Sequence, residues 1–255
     1  MRQNRKMAAG TLLSIAALLL LWQIASKGLD RYFLPEPAET MRTLVRLLGE
    51  EKTWLHLGSS LRRITLGTLL GLFTALPLGI LMGRSPAADI VLGSFFRLVY
   101  PVPKVVFMPI VVVLMGIGDG SKICLIFLAV FFQITIIIRD STAALDPALS
   151  DVMKSMHAGP VCTFCHLILP GITPGILTAL KASLGTSVAL LMITELFAST
   201  SGLGYFIMNS MDARRYPEMY SGILLLMGMS ALMYAALEIA ERVFCRWRYG
   251  SRGKA

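Results

Sequence analysis

The densest chemistry in this 255-residue chain is one pentapeptide, Cys162-Thr163-Phe164-Cys165-His166. Its C-x-x-C-H spacing is the pattern of covalent haem attachment. Two thiols and one imidazole are too few for a closed tetrahedral zinc site, which takes four ligands. Three charged residues in apolar surroundings come next: Arg97 and Lys104 in a proline-broken block, and Glu195 at the end of another. A charge in hydrocarbon costs at least about 2.5–3.5 kcal/mol, so such residues face a cavity, a partner or the interface. Arg97, Lys104 and Glu195 are therefore candidates to line a translocation path whose cationic walls suit an anion. The alternative is snorkelling or a structural ion pair. His56 has no companion at metal-ligand spacing, and no phosphate loop, serine elbow or H-E-x-x-H helix occurs. Enzyme readings thus lack material, and any use of ATP falls to another chain.

These residues sit in a chain that is 55% hydrophobic, against about 45–50% for a soluble domain. A helix needs about 20 apolar residues to cross roughly 30 Å of hydrocarbon. Six blocks fit, at 7–25, 64–82, 90–117, 123–138, 176–197 and 223–240, and they leave no room for a soluble domain. The first resembles a signal peptide, but its apolar run is too long and no small-x-small cleavage site follows Trp22, so it reads as an uncleaved anchor. Residues 40–48 carry Met41, Leu44, Val45 and Leu48 at helical spacing and predict an amphipathic helix on the outer surface. In the second block Gly67, Gly71, Ala75, Gly79 and Gly83 recur every four residues, a spacing that lets helices approach closely in lipid. Pro77 in the same block should bend it.

The net charge of +9 is first a statement about topology, because Lys and Arg beside spans stay on the cytoplasmic side. Arg2, Arg5 and Lys6 precede the first block, and Arg242, Arg246, Arg248, Arg252 and Lys254 follow the last. An even number of spans with two basic ends places both termini in the cytoplasm, and residues 151–174 with them. The basic residues of the loop 26–63, Arg62 and Arg63 among them, run against this rule. A cytoplasmic position for the pentapeptide disfavours haem attachment, and the four cysteines read as reduced thiols.

Residues 151–174 interrupt the apolar chain with two short helix-compatible pieces, a turn at Ala158-Gly159-Pro160 and a stop at Leu169-Pro170. They read as a docking element on the membrane surface. The stretch resembles the cytoplasmic loop of the permease subunits of bacterial ABC importers, of the nitrate/sulfonate/taurine type. That family's pattern is Glu-Ala-Ala, three residues, Gly, nine residues, then Ile-x-Leu-Pro. Asp151, Val152 and Met153 stand at Glu-Ala-Ala, His157 at Gly, Leu167 at Ile, and Leu169-Pro170 at Leu-Pro. Further resemblance lies in Leu34-Pro35-Glu36-Pro37, Pro101-Val102-Pro103, Met108-Pro109, Gly116-Ile117-Gly118-Asp119 and Ser201-Gly202-Leu203-Gly204-Tyr205.

The resemblance implies an all-α membrane protein of six transmembrane helices with the type I ABC importer permease fold. Residues 1–57 would form the tail, first helix and outer amphipathic segment, 58–248 the permease core, and 249–255 a cytoplasmic tail. It implies a second permease copy as homodimer partner, two ATPase subunits that hold ATP and magnesium, and a periplasmic or lipid-anchored solute-binding protein. The setting would be the inner membrane of a bacterium, with lipid contacts and no nucleic acid. Asp151, Val152, Met153, His157, Ala158, Gly159, Leu167, Leu169 and Pro170 would form the ATPase-coupling segment. No catalytic residue, cofactor or metal of its own is implied, and the solute would be nitrate, a sulfonate, taurine or a related compound. Two other classes stand beside this reading: a membrane redox or haem protein built on Cys162, Cys165 and His166, and a secondary transporter. The latter would show paired broken helices in an inverted repeat, whereas one proline-broken block is found.

Overall fold

The computed structural model describes residues 2–28, 33–197 and 199–246. Glycines on one face of a helix determine how its bundle is built. Helix α3 (Glu51–Arg84) carries the expected stripe, and it lies along α6 (Asp119–Ala143), the central helix. A Cβ on Gly67 would stand 2.7 Å from Ile126 Cγ2, and one on Gly79 would stand 2.8 Å from Ile138 Cβ and 2.9 Å from the Thr135 carbonyl. At Gly83 the Arg139 carbonyl would be 2.7 Å away. Glycine is thus required by the distance between two backbones, the contact that holds helices together where lipid gives no hydrophobic drive. Ile126, Val130, Ile134 and Ile138 fill the space between and are fully buried.

On its other side α6 packs against α9 (Leu169–Leu196), whose buried residues include Ser183, Leu184, Ser187 and Leu191. The hydroxyls of Ser183 and Ser187 bond back to carbonyls of their own helix, so neither is orphaned. The bundle is completed by α10 (Leu203–Asp212) and α11 (Tyr216–Phe244), both against α9. Helix α2 (Pro37–Leu48) lies across α11 with Thr40 and Leu47 buried, while Met41, Val45 and Leu48 of the expected apolar face remain exposed. Helix α1 (Arg2–Gly28) packs on α2 and reaches α11 through Trp22, whose ring centroid lies 6.2 Å from that of Tyr220, while Leu13 and Leu18 through Leu21 are exposed.

The third block is bent. Helix α4 (Pro86–Val99) and the pair formed by a tight turn (Lys104–Phe107) and α5 (Met108–Met115) meet at 82°. Pro101 and Pro103 remove the N–H groups that would continue α4, which leaves carbonyls unmet in a setting without water. Lys104 meets them: its Nζ donates to the carbonyls of Val99 (2.7 Å), Tyr100 (3.1 Å) and Val102 (2.8 Å) and sits 4.7 Å from the Phe132 ring centroid. This is a cation–π contact on top of a cap.

Four described helices are long and apolar enough to cross a membrane, and the bent pair makes a fifth. The expected sixth span lies in α1, whose described apolar stretch Leu13–Gly28 is shorter than a span; its first turn holds Arg2, Arg5 and Lys6. Helix α3 also runs through the boundary expected at 57/58, and residues 51–63 are its first turns rather than loop. The expected tail at 249–255 lies outside the described residues. Because Gly79 meets backbone, Gly79→Ala should lower thermal stability in detergent by about 1–3 kcal/mol of overpacking. Gly185→Ala, whose Cβ meets nothing within 4 Å, should not; equal melting temperatures for the two would refute the close contact.

Candidate functional site

The end of the bundle where α6 stops and α9 begins carries α7 (Pro147–Ser155) and α8 (Pro160–Thr163), and a wide turn (Phe164–Ile168) leads into α9. Asp146 caps α7 by accepting from the Ala148 N–H at 2.9 Å, with Pro147 at the first helical position, where its missing donor costs nothing. At the other end the His157 N–H bonds the Lys154 carbonyl (2.9 Å) and the Ala158 N–H bonds the Met153 carbonyl (3.0 Å). This pair is the Schellman stop, which needs a left-handed residue between helix and exit. His157 fills that place at φ 54°, where the resembling loops have glycine. Gly159 is extended at φ −66° and caps α8, so the left-handed step stays at 157.

The segment is fixed from behind and bare in front. Arg84 of α3 donates to the Ser150 hydroxyl at 2.9 Å, and Leu145 lies against Gly171. Leu167, Leu169 and Pro170 are half-buried beside buried Ile168, and Ala158 is half-buried at the turn. Val152 (53% exposed), Met156 (72%) and Val161 (74%) point outward with Asp151 and Lys154, whose exposed ion pair contributes little. Cys162 and Cys165 are exposed free thiols. Nδ1 of His166 is 3.6 Å from the Cys162 sulfur and 3.1 Å from its carbonyl. Among the described residues no group of three His, Cys, Asp or Glu is placed to hold a metal. The C-x-x-C-H residues thus lie on an exposed helical surface, with both thiols free.

At the opposite end a charge network closes the bundle. Arg63 (2% exposed) reaches from α3 to Glu195 (0% exposed) at the end of α9, 2.6 Å apart. Arg63 also donates to the carbonyl and the hydroxyl of Ser201, each at 2.8 Å, and pairs with Asp119 at the start of α6 at 2.6 Å. Arg62 pairs with the same Asp119. Glu195 further accepts from the Ser60 hydroxyl (2.9 Å) and the Gly204 N–H (2.8 Å), and Ser60 accepts from the Leu203 N–H (2.8 Å). His56 accepts from the Gly202 N–H at 3.1 Å. Gly202 lies at φ 114°, and a side chain there would run into the Glu195 carboxylate.

The structure does not bring Arg97, Lys104 and Glu195 together. Glu195 is spent inside the bundle, Lys104 caps the bend, and Arg97 lies on the exposed face of α4. Sequence reasoning missed Ser60 and Arg63, which it left in a loop. The available signal was their phase: Ser60, Arg63, Ile64, Gly67 and Gly71 share one buried face of α3. Truncation at Glu195 should test the network, because it leaves Arg63 buried beside unmet donors. Glu195→Ala should cost about 3–5 kcal/mol, and the double change Arg63→Met/Glu195→Met should recover most of that. Denaturant unfolding of the purified chain measures both, and additive losses would mean that the two residues are not coupled.

Comparison with known proteins agrees with this architecture. Residues 67–247 match the family described as "Binding-protein-dependent transport system inner membrane component". The chain is 30% identical over 245 residues to the taurine transport system permease protein TauC of Escherichia coli (strain K12), covering 92% of this chain and 89% of that one. It is 29% identical over 245 residues to the putative aliphatic sulfonates transport permease protein SsuC of Bacillus subtilis (strain 168), covering 95% and 88%. An inward-facing structure of the MetNI methionine ABC transporter superposes with a TM-score of 0.67 at 18% identity, over 76% of this chain and 98% of that one. With that fold, the chain belongs to the binding-protein-dependent transport inner membrane components, as the permease subunit of an ABC importer.

Proposed function

We propose that the chain is the pathway subunit of an importer for a small sulfonate of the taurine class, working as a homodimer. Two separate ATPase subunits hold ATP and magnesium, and a periplasmic or lipid-anchored binding protein delivers the solute. The segment made by α7, α8 and the turn between them is the dock for the ATPase, and both termini lie on its side, the cytoplasm. The observation that carries this reading is the bare apolar triplet Val152, Met156 and Val161 on a helix–turn–helix fixed to the bundle only from behind. Large apolar side chains raised into water around a polar rim mark a protein contact. The two relatives named for taurine and aliphatic sulfonates support the solute class.

The pathway itself runs along α9. Ala182, Gly185, Thr186 and Ala189 form an exposed small-residue face, and the Thr186 hydroxyl points to the Gln133 side-chain carbonyl of α6 at 3.4 Å. Facing the same stripe of a second copy, this surface leaves room for a small solute. ATP binding draws the motors together, and the docks carry that movement into α6 and α9, so nucleotide biases two packings of one bundle.

Two experiments separate dock from pathway. Ala158→Glu adds a charge at the turn, and should reduce both co-purification of the ATPase subunit and ATP-driven taurine uptake in vesicles by about ten-fold or more, as for an unpaired charge in an interface core. His157→Gly relaxes the left-handed step and should preserve both. Normal assembly and uptake by Ala158→Glu would remove the docking role. Gly185→Trp, at a position where an added Cβ meets nothing within 4 Å, should instead leave ATPase co-purification intact and abolish uptake; wild-type uptake would remove α9 from the pathway.

A further inference from the structure

Arg97 stands apart from the other membrane charges because its donors are nearly all unspent. A cavity of about 200 Å³ opens between α3, α4 and α6 at the end of the bundle that carries α7. Its floor is Met82, Phe96 and Ile136, and its charged walls are Asp89, Arg97 and Arg139. Arg139 is committed: Nε donates to Asp89 at 2.9 Å, Nη2 to the same carboxylate, and Nη1 to Asp140 at 2.7 Å. Arg97 donates to the Ser94 hydroxyl at 3.0 Å and has no ion pair among the described residues. Of the five N–H donors of its guanidinium, one is used. Gly93 makes the room: a Cβ there would stand 3.2 Å from the Asp89 carboxylate and 3.5 Å from Arg97 Nη1.

Asp89 and Asp140 hold Arg139, so over an apolar floor Arg97 is the wall cation whose donors remain open to a ligand. A cation in such a setting is costly unless an anion meets it. An oxyanion fits the donor set, because a guanidinium presents its N–H groups as a fork that matches phosphate oxygens two at a time. On the same helix Ile90, Val91, Phe95 and Leu98 are strongly exposed, so the cavity rim continues into a surface suited to acyl chains.

We propose that Asp89, Arg97 and Arg139 frame a binding site for an oxyanion of the phosphate class, with Arg97 as the ligating guanidinium. The apolar surroundings favour the phosphate of an acidic membrane phospholipid over free phosphate. The site is independent of the docking reading, since neither its ligand nor its walls belong to residues 147–168.

The test is a thermal-shift titration of the purified full chain in detergent, with three probes: phosphatidylglycerol, phosphatidylcholine and inorganic phosphate. Phosphatidylglycerol should stabilise the chain and phosphatidylcholine should not. Arg97→Gln, at an exposed side chain bonded to Ser94, should weaken half-saturation by about ten-fold or more, as loss of a charge-assisted hydrogen bond does. Gly93→Val keeps every charge but fills the cavity, and should weaken it likewise. An Arg97-dependent shift with inorganic phosphate and none with the lipid keeps the site and moves its source to solution. Equal responses of wild type, Arg97→Gln and Gly93→Val to both anions, or no response to either, overturn the site.

Discussion

Taking a guanidinium and a carboxylate out of water costs several kcal/mol each, and their attraction offsets this only when the remaining donors and acceptors are also met. Arg63 and Glu195 are held to that condition, and much of the far end of the bundle follows from it. Asp119 and Ser201 take the other N–H groups of Arg63, while Ser60 and the Gly204 N–H take the other lone pairs of Glu195. Helices α3, α6 and α9 and the loop before α10 are thereby tied at one point. Gly202 must be glycine because the carboxylate occupies the space its side chain would need. The sequence Ser201-Gly202-Leu203-Gly204 is thus the complement of a buried acid on another helix.

The tie at one end gives meaning to the close packing below it. Glycines 67, 71, 79 and 83 hold α3 against α6 from the network down to Arg84, and Arg84 in turn holds Ser150 of α7. The surface segment is therefore joined to helices that are clamped together over their length, and packed interfaces of this kind move as bodies rather than deform. In the proposed cycle, Arg84 passes a displacement of α7 to α3 and so to the bundle. The proposed transport cycle rests on this rigidity, to which α1, lying at the edge of the bundle against α2 and Tyr220 of α11, contributes little.

Period and composition carried the spans, the glycine stripe and the surface segment, because each is a local pattern. His157 was legible as the odd residue of its motif, and the Schellman bonds explain how it is tolerated: the stop is made by backbone groups, and histidine is among the residues enriched in left-handed geometry. The roles of the charged residues were not legible. Lys104 follows two prolines by one and three positions, yet its task depends on where α4 ends in space. Arg63 and Glu195 are 132 residues apart, and nothing local says that they meet. The Cys162–His166 pentapeptide shows the converse, since a motif of five residues matches a helix surface as readily as a ligand set, and its expected position weighed against haem from the start.

Arg97, Lys104 and Glu195 share the property that drew attention, a charge among apolar neighbours, and they spend it differently. Lys104 meets carbonyls that proline left open, Glu195 meets an arginine, and Arg97 faces a cavity on the side of α4. A charge in a membrane protein is thus first accounted for by backbone and partner needs, because hydrocarbon supplies no other donor or acceptor. In the proposed pathway this leaves the exposed face of α9 with Ala182, Gly185, Thr186 and Ala189 and no fixed charge. A wall of that kind sorts by size and gives an anionic solute no deep site in which to stop. Selection by chemistry then falls to the binding protein, and the permease needs only to open and close.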